Sequence, residues 1–551
     1  MQVTQTTPSA ARRGNRIPRL LTGALLGALT AAVALAVGEI VAIFTGPASA
    51  PVYAVGAAAV DLTPAPLKEY AVAHFGEHDK QLLITGILAA LTGIALLAGI
   101  AALRRFPFGA ALIALFGAVG VAAALSQPDS GPSWALPSVL GALAGIGALR
   151  LLERLHHRTL MPESRDLRAP TEQGPDTQPS ALPSDTARAE RATADPGDRR
   201  RFLAAAAGVA VGSAAAGLGA NLVITRRYSV QAARAAVKIP RPVFPAPKLP
   251  PGVHPAVAGL SPFFTDNDSF YRVDTALVLP QVRPDSWSLR IHGLVDRPLE
   301  LSFADLLRRP LHEHDMTLSC VSDPVGGPYV GNARWIGAAL PDLLRGAGVQ
   351  KGADQLLARS VDGMTIGTPL SSVLDGRNAL IALAMNGQPL PIAHGFPARM
   401  LVPGFYGYAS ACKWVTDLYV TTFAASTAYW AARGYARIGT MKTQSRIDVP
   451  RPFARVPAGP VTVAGIAWAT DRGIADVQVR VDQGGWHTAR LAAQDSPDTW
   501  RQWTYDWPAT PGSHSLQVRA ADSTGQYQTA ARADPYPSGA SGWESIVVTV
   551  V

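Results

Sequence analysis

The sequence predicts a multidomain protein with three successive architectures: an α-helical transmembrane bundle, an α+β domain and an all-β sandwich. Three observations lead to this prediction. Long apolar runs fill most of the first 150 residues. Further along, strands and short helices alternate irregularly, without a repeated strand–helix–strand unit. In the last hundred residues, short alternating strands follow one another between turns.

Four runs in the first predicted domain, residues 1–158, are each about 20 residues long or more and nearly free of charge: 20–44, 82–103, 106–125 and 134–152. A helix of this length crosses a hydrocarbon core of about 30 Å. The run 48–60 is too short to span and is predicted to lie at the interface. Arginine clusters precede the first run, separate the second from the third and follow the fourth, which predicts cytoplasmic ends there.

The net charge of +9 therefore mostly reflects membrane topology. The sequence lacks the interleaved basic and aromatic residues that would indicate a nucleic-acid partner, so no such partner is predicted. The absence of a GxGxxG motif after a strand argues against a dinucleotide-binding fold.

Residues 159–198 are polar and proline-rich, which predicts a disordered cytoplasmic linker. The following stretch, 199–226, combines Arg199-Arg200-x-Phe202-Leu203 with an apolar run. This pattern resembles the twin-arginine export signal, and it also fits an ordinary fifth transmembrane helix with basic flanks. Both interpretations predict that everything after about residue 226 is extracytoplasmic.

His74 and His78 lie four residues apart before the second apolar run, and such a pair could bind a haem or a metal. They would lie at the outer surface rather than in mid-membrane, so interfacial histidines are the preferred interpretation. The chain has no Cys-x-x-Cys-His motif, and no haem is predicted.

One of the two cysteines, Cys320, follows an alternating run at 316–319 that predicts a short strand. A loop rich in turn formers comes next (SDPVGGP, 322–328). A thiol at a strand end beside a glycine-rich loop can approach a ligand closely. A free cysteine is more often a small buried hydrophobe, and the local sequence leaves both interpretations open.

Five segments in a fixed order resemble the sulfite-oxidase family of molybdenum enzymes. They are 266–279 (DNDSFYRVDTALVL), 287–298 (WSLRIHGLVDRP), 317–335 (TLSCVSDPVGGPYVGNARW), 394–414 (HGFPARMLVPGFYGYASACKW) and 442–450 (KTQSRIDVP). The resemblance covers roughly residues 261–551. It implies a sulfite-oxidase-like molybdopterin domain at 240–450 that catalyses oxygen-atom transfer on a small substrate.

For the cofactor, the resemblance implies that Cys320 ligates molybdenum through its thiolate, a soft ligand that suits this metal. His394, Arg399 and Lys413 match the family's cofactor-binding segments. Guanidinium and ammonium groups supply the charge-assisted hydrogen bonds that the phosphate of molybdopterin needs.

Arg272 aligns with an arginine near the metal in the family and is predicted to orient an anionic substrate, acting with Cys320 in catalysis. Asp268 and Tyr271 fall where relatives contact the pterin, and Ser360 falls near another such contact.

The residues after Cys320 depart from the family. Sulfite oxidases typically carry Gly-Asn-Arg-Arg there, whereas this chain has VSDPV, in which Asp323 would repel sulfite. Arg334 would have to fold back through the glycine loop to compensate. Relatives that repair methionine sulfoxide also lack the arginine run, so the expected substrate is a small oxyanion or a sulfoxide. Its electrons would pass to or from a separate partner, a cytochrome or the membrane quinone system.

The other cysteine, Cys412, precedes Lys413. Two cysteines in an exported domain could pair, but a bond to Cys320 would consume the thiolate that molybdenum needs. Cys412 is therefore predicted to be a reduced, buried thiol near the pterin.

Residues 455–551 are predicted to form an immunoglobulin-like β-sandwich. The runs 477–481 and 516–520 alternate with period 2, and the turns at 483–485 and Pro511-Gly512 separate strands. In the family a domain of this type follows the molybdenum domain and often forms a dimer. A homodimer and a monomer are both open for this chain.

The sequence thus predicts a multi-pass membrane protein whose extracytoplasmic domain is a molybdopterin-dependent oxidoreductase. The alternative is a surface-exposed, anchored binding or structural protein that has lost the cofactor. The joint presence of Cys320, His394, Arg399 and Lys413 argues against that alternative.

Overall fold

The computed structural model describes residues 16–64, 66–67, 70, 75, 79–128, 130–160 and 196–551. Most of the predicted linker, together with His74 and His78, lies outside these residues. The chain divides into two compact units: residues 1–59 with 81–228, and residues 60–80 with 229–551.

The first unit consists of helices. In the described part of the chain they are α1 (Arg16–Thr45), α2 (Pro51–Leu62, which continues into the second unit), α3 (Asp79–Ala102, whose first two residues belong to the second unit), α4 (Phe106–Leu125), α5 (Leu136–Leu160) and α6 (Pro196–Tyr228). Five of them, all except α2, are long and apolar enough to cross a membrane. The four predicted spans and the fifth apolar run after residue 199 are therefore helices of the expected length.

Glycines let α1 and α3 approach closely. A Cβ at Gly27 would lie 1.9 Å from the carbonyl oxygen of Ala95, and one at Gly99 would lie 2.0 Å from that of Gly23. Small residues at such crossings are typical of packing between membrane helices, where backbone contact replaces the hydrophobic effect.

The second unit begins with an α+β domain, as predicted. Its strands are β1 (Ser288–Gly293), β2 (Leu299–Ser302), β3 (Leu311–Ser319), β4 (Val330–Ala339), β5 (Gln355–Ser360), β6 (Thr365–Pro369), β7 (Leu380–Met385), β8 (Gln388–Pro389), β9 (Arg399–Leu401) and β10 (Val415–Thr421). Its short helices are α7 (Gln231–Ala236), α8 (Phe303–Leu307), α9 (Leu340–Ala347), α10 (Leu370–Leu374) and α11 (Gly407–Ser410).

These strands form two sheets, with the orders β2-β1-β10-β5-β6 and β3-β4-β7-β8, and β9 pairs with β7. One apolar core lies between them and includes Ile291, Leu383 and Leu418, each fully buried. The sheets are joined directly near β9, because the N–H of Met400 donates to Cys412 O at 2.9 Å and that of Val415 donates to Ala398 O at 3.2 Å.

Local sequence signals set several element ends. In the sequence, Ser302 and Asp305 have the spacing of a capping box, Pro341 predicts the start of a helix and Gly346 its end. The capping box is present, since each of its two side chains bonds the backbone N–H of the other residue. Pro341 lies in the first turn of α9, but the glycine that ends this helix is Gly348, in the left-handed conformation, and not Gly346.

The C-terminal part contains two sheets whose strands pair antiparallel, except for the parallel pairing of β12 with β19. Its strands are β11 (Gln444–Val449), β12 (Arg455–Val456), β13 (Gly459–Trp468), β14 (Ile474–Val481), β15 (Trp486–Thr488), β16 (Arg490–Leu491), β17 (Arg501–Ala509), β18 (Gly512–Asp522) and β19 (Glu544–Val550). The orders are β11-β13-β17-β16 and β12-β19-β18-β14-β15. Buried side chains from both sheets, among them Trp503 and Val479, share one core.

The predicted boundary between the last two domains needs a correction. Strand β11 falls inside the range 240–450 assigned to the molybdopterin domain, yet it pairs with β13 from Gln444 to Val449. Sequence periodicity does not identify the partner of a strand, so this pairing could not be read from the sequence. The C-terminal sheets therefore begin about ten residues before the predicted start of that domain.

The pairing of β11 with β13 depends on Gly465, because a Cβ there would lie 1.9 Å from Arg446 O and 2.8 Å from Cζ2 of Trp503. We predict that Gly465→Ala lowers the stability of the C-terminal domain by roughly 1–3 kcal/mol. Thermal unfolding of the purified protein measures this. The matched control is Gly485→Ala, where a Cβ would meet no atom within 4 Å. Equal melting temperatures for the two variants would contradict the packing argument.

Candidate functional site

Cys320 lies directly after the last residue of β3, as predicted. Its N–H donates to Tyr329 O at 2.9 Å and closes the loop 321–329 at the base of the β3–β4 hairpin. The side chain is buried, with 9% exposed. The thiol is thus held by rigid strand ends on both sides of the loop.

Asp323, which the sequence predicts would repel sulfite, is buried with 8% exposed and forms hydrogen bonds within its own loop. Its carboxylate accepts the N–H of Tyr329 at 2.8 Å, and its own N–H donates to Cys320 O at 3.2 Å. Burial raises the pKa of Asp323 to about 7, against the opposing effects of the Tyr329 N–H and Arg446. The carboxyl group therefore closes its own loop.

Arg334 does not fold back towards Cys320. Its guanidinium binds Asp315 on the neighbouring strand through two contacts of 2.7 Å, from Nε to Oδ1 and from Nη2 to Oδ2. The β3–β4 register places these two residues opposite each other. This arginine does not replace the one that sulfite oxidases carry after their cysteine.

The segment around Tyr271 is irregular and lies against β4. Phe270 packs onto Gly331, where a Cβ would lie 2.7 Å from the ring. Tyr271 stacks on Phe270 with ring centres 5.3 Å apart. Burial and the nearby Cys320 raise the pKa of Tyr271, while Arg399 opposes that effect, so the phenol lies among these groups and stays protonated.

Arg399 opens β9 and is almost completely buried, with 4% exposed. Its guanidinium lies 5.6 Å from the centre of the Trp335 ring, and its Nη1 is 3.5 Å from His394 O. Its Nε has no hydrogen-bond partner among the described residues. Burial lowers the pKa of Arg399 to about 10, which leaves it cationic at neutral pH.

His394 is buried beside Arg399. Its Nε2 donates to the carbonyl of Asn267 at 3.2 Å, because a carbonyl can only accept. Burial, with Arg399 and Lys413 nearby, lowers the pKa of His394 to about 3, so the ring is neutral. Its Nδ1 is then a buried acceptor that meets no donor within the described parts of the chain.

Lys413 is also buried, with 8% exposed. Gly395, at φ +110°, packs on its backbone, and a Cβ there would lie 3.0 Å from the Cα of Lys413. The next residue, Trp414, has φ +49°, an uncommon backbone conformation for a bulky side chain. Burial lowers the pKa of Lys413 to about 8, and Asp274 opposes that effect.

Asp274 connects the cations of the site. Its Oδ2 is 3.0 Å from Nζ of Lys413 and 2.9 Å from Nε of Arg272, and its Oδ1 is 2.5 Å from Nζ of Lys80. Its side chain is 4% exposed. Burial alone would raise the pKa of Asp274, but Lys413, Lys80 and Arg272 together hold it well below its usual range.

The remaining predicted residues lie at different depths. Ser360 is buried and pairs in register with Val415, which brings the end of β5 beside Lys413. Asp268 is exposed. Cys412 is a fully buried thiol, and burial raises its pKa far above the usual value.

Sequence reasoning gave no role to Asp274, Lys80 or Asn267. Asp274 lies within one of the five matched segments, two residues after Arg272, and that spacing is the signal that could have identified it. Lys80 contacts Asp274 across 194 residues of chain, and nothing in the local sequence indicates that contact.

The described residues therefore bring a buried thiol, a buried guanidinium and a buried ammonium to one region, with Arg272 and Lys80 at its edge. Buried cations are stable only when an anion or hydrogen-bond acceptors compensate them. An unsatisfied donor on Arg399 and an unsatisfied acceptor on His394 fit a polar, anionic ligand of this site.

Comparison with known proteins gives the class. Residues 276–430 match a family model described as an oxidoreductase molybdopterin binding domain. The chain is 32% identical over 311 residues to the sulfite oxidase of Gallus gallus, covering 48% of this chain and 67% of that protein. It is 32% identical over 337 residues to the mitochondrial sulfite oxidase of Drosophila melanogaster, covering 51% of this chain and 58% of that protein.

The chain belongs to the sulfite oxidase family of molybdopterin oxidoreductases, and its cofactor is the molybdenum cofactor. Among solved structures, the sulfane dehydrogenase SoxCD from Paracoccus pantotrophus matches 52% of this chain and 82% of its own, with 26% identity and a TM-score of 0.48.

The loop that follows Cys320 is tied to the C-terminal sheets by titratable groups. Arg446 donates to Gly327 O at 2.8 Å, and Oε1 of Glu544 would lie 2.3 Å from a Cβ at Gly326. Burial raises the pKa of Glu544 to about 7, although the N–H of Ile447 opposes that effect. Glu544 and Asp323 therefore both titrate near neutral pH.

We predict that stability falls as pH rises through about 7. A carboxyl group whose pKa is raised on folding contributes stability below its unfolded pKa, and that contribution is lost as pH rises through the folded pKa. For Glu544 the shift is from 4.5 to about 7, at most about 3 kcal/mol. The difference between the melting temperatures at pH 6 and pH 8.5 should be smaller in Glu544→Gln than in the wild type. It should be smallest in the double variant Glu544→Gln/Asp323→Asn.

The control is the exposed Asp534→Asn, which should melt like the wild type at both pH values. The same pH dependence in the double variant as in the wild type would contradict the assignment of these two carboxyls.

Proposed function

We propose that this protein is a membrane-anchored oxidoreductase whose cofactor site faces the extracytoplasmic side and acts on a small oxyanion or a sulfoxide. The observation that supports this most directly is the convergence of Cys320 with the buried Arg399 and Lys413. When bound, the molybdenum cofactor supplies two-electron oxygen-atom transfer, and the protein supplies binding, orientation and electrostatics.

Cys320 is proposed as the metal ligand. A thiolate is a soft donor that suits molybdenum, and the position at a strand end keeps the sulfur fixed. Tyr271, whose raised pKa keeps its hydroxyl protonated, lies in the same region and can donate a hydrogen bond there. We propose that Tyr271 and Ser360 contact the pterin. Asp268 is exposed, so its burial does not support such a contact, which stays a prediction from the sequence.

Arg399 and Lys413 are proposed to hold the phosphate of the cofactor. The Nε of Arg399 is a buried donor without a partner among the described residues, and a phosphate oxygen would satisfy it. His394 is neutral and offers an acceptor, which fits an N–H group of the pterin rather than the phosphate.

Arg272 is proposed to orient the substrate. It is the most exposed cation of the group that binds Asp274, with 32% of its side chain accessible. A guanidinium binds oxyanions and polarised S=O oxygens alike, so this residue serves either substrate class. The loop after Cys320 offers no second arginine, because Arg334 is bound to Asp315.

The alternative of an anchored binding protein without cofactor is disfavoured by the same atoms. Buried, unsatisfied polar groups reduce stability unless a ligand compensates them. A chain that had lost its cofactor would gain stability from apolar residues at 394 and 399, yet both positions are polar and buried.

The five apolar helices are proposed to span the membrane, with electrons passing to a separate cytochrome or to the quinone system. The C-terminal domain is proposed to be immunoglobulin-like, on the basis of its two mainly antiparallel sheets around a shared core. A homodimer through this domain stays a prediction.

Cys320→Ser tests the metal assignment. A hydroxyl is a poor ligand for a soft metal, so we expect a folded protein with most oxygen-transfer activity lost, roughly a hundredfold or more. Molybdenum X-ray absorption should show one sulfur ligand fewer than in the wild type. Cys412→Ala is the matched control, because that thiol packs in the core and should cost only modest stability. Unchanged activity and sulfur coordination in Cys320→Ser would remove the assignment.

Replacing Arg199 and Arg200 with Lys tests the export route. The twin-arginine interpretation predicts that residues after α6 stay in the cytoplasm, protected from external protease, while the first four long helices insert normally. The control replaces Arg226 and Arg227, the basic pair in the last turn of α6, with Lys. If the double-lysine variant at 199 and 200 is cleaved as readily as the wild type, an ordinary insertion signal is sufficient.

A further inference from the structure

The segment 60–80, which lies in the chain between two apolar helices, belongs to the same compact unit as the catalytic residues. Its first residues hold the α+β domain through Asp61. The hydroxyl of Tyr429 donates to Asp61 Oδ1 at 2.8 Å, and Nη2 of Arg433 donates to the carbonyl of Asp61 at 3.3 Å.

This contact adjoins the predicted cofactor region. The N–H of Tyr429 donates to Oγ1 of Thr365 at 3.0 Å, at the start of β6. Strand β6 pairs with β5, which ends at Ser360. One end of the segment is therefore fixed beside a strand that leads into the site.

The other end of the segment enters the site itself. Nζ of Lys80 is 2.5 Å from Asp274 Oδ1 and donates to the carbonyl of Ala276 at 2.8 Å. Lys80 is 22% exposed, whereas Asp274 is 4% exposed, so the lysine approaches the buried carboxylate from its outer side.

The two oxygens of Asp274 have different partners. Nζ of Lys80 contacts Oδ1 at 2.5 Å, whereas Nε of Arg272 and Nζ of Lys413 both contact Oδ2, at 2.9 and 3.0 Å. Arg272 reaches Oδ1 only at 3.5 Å, through Nη2. Without Lys80, the charge of Asp274 would be balanced mainly by the two cations on Oδ2, and Lys413 would be drawn more strongly to the carboxylate.

We propose that Lys80 is a positioning residue of the cofactor site: by holding Oδ1 of Asp274, it leaves the ammonium of Lys413 able to bond the anionic end of the cofactor. This inference rests on the proposed role of Lys413 and assigns Lys80 a part in cofactor retention. Lys80 acts through Asp274 and is not a catalytic residue.

The test measures cofactor retention in the full-length, detergent-solubilised protein. Molybdenum content by mass spectrometry and released pterin by fluorescence are followed during dialysis. Lys80→Met should lose molybdenum and pterin about tenfold faster than the wild type, because removing a residue that orients a direct ligand has an effect of this size. Lys80→Arg should restore retention, because a guanidinium can also hold Oδ1. Lys351→Met, at an exposed lysine, is the control and should behave as the wild type.

A double variant separates positioning from folding. If Lys80 acts only through Asp274, adding Lys80→Met to Asp274→Asn should not change the rate of loss any further. This comparison stands even if Lys80→Met alone folds poorly, because the double variant removes both charges together.

The outcomes are distinct. Retention in Lys80→Met equal to the wild type, or a further loss in the double variant, would overturn the role of Lys80 and leave the proposed function intact. Wild-type protein that holds no molybdenum or pterin when made in a cofactor-producing host would contradict the proposed function itself, and this inference with it.

Discussion

The burial of two cations, Arg399 and Lys413, is the constraint on which the rest of the catalytic unit depends. Taking a guanidinium and an ammonium out of water costs several kcal/mol each unless anions and hydrogen bonds compensate them. Asp274 offsets part of that cost for Lys413 through a 3.0 Å contact. Arg399 has no comparable carboxylate in hydrogen-bond contact among the described residues, and its Nε is without a partner there. An anionic ligand would complete the compensation for Arg399, and this is the strongest physical argument for the proposed cofactor contact.

The arrangement of the strands follows from this requirement. Arg399 begins β9 in one sheet and Lys413 precedes β10 in the other, and backbone hydrogen bonds between 398–400 and 412–415 hold the two sheets together beside them. Cys320 directly follows β3, which lies in the same sheet as β9. Gly395 is required because the loop that carries His394 packs directly on the backbone of Lys413. The functional groups thus lie at strand ends, where the backbone is rigid and side chains can leave the sheet.

What the sequence could predict was mostly local. The strand before Cys320, the capping box at Ser302 and the apolar helices follow from periodicity and from residue types that act within a few positions. The partners of Asp274 and the pairing of β11 with β13 could not be predicted, because they join residues far apart in the chain. The sequence also does not show that the carboxylate of Asp323, three residues after Cys320, accepts the N–H of Tyr329 within its own loop. The family resemblance supplied the chemistry, and the structure supplied the charge balance that the resemblance did not contain.

The most direct measurement of the central claim is a density map of the molybdenum-loaded protein by crystallography or cryo-electron microscopy. The account predicts phosphate density within hydrogen-bond distance of Arg399 Nε and Lys413 Nζ, and molybdenum density bonded to Cys320 Sγ. A cofactor whose phosphate lies away from both cations, or a metal without a sulfur bond from Cys320, would contradict it.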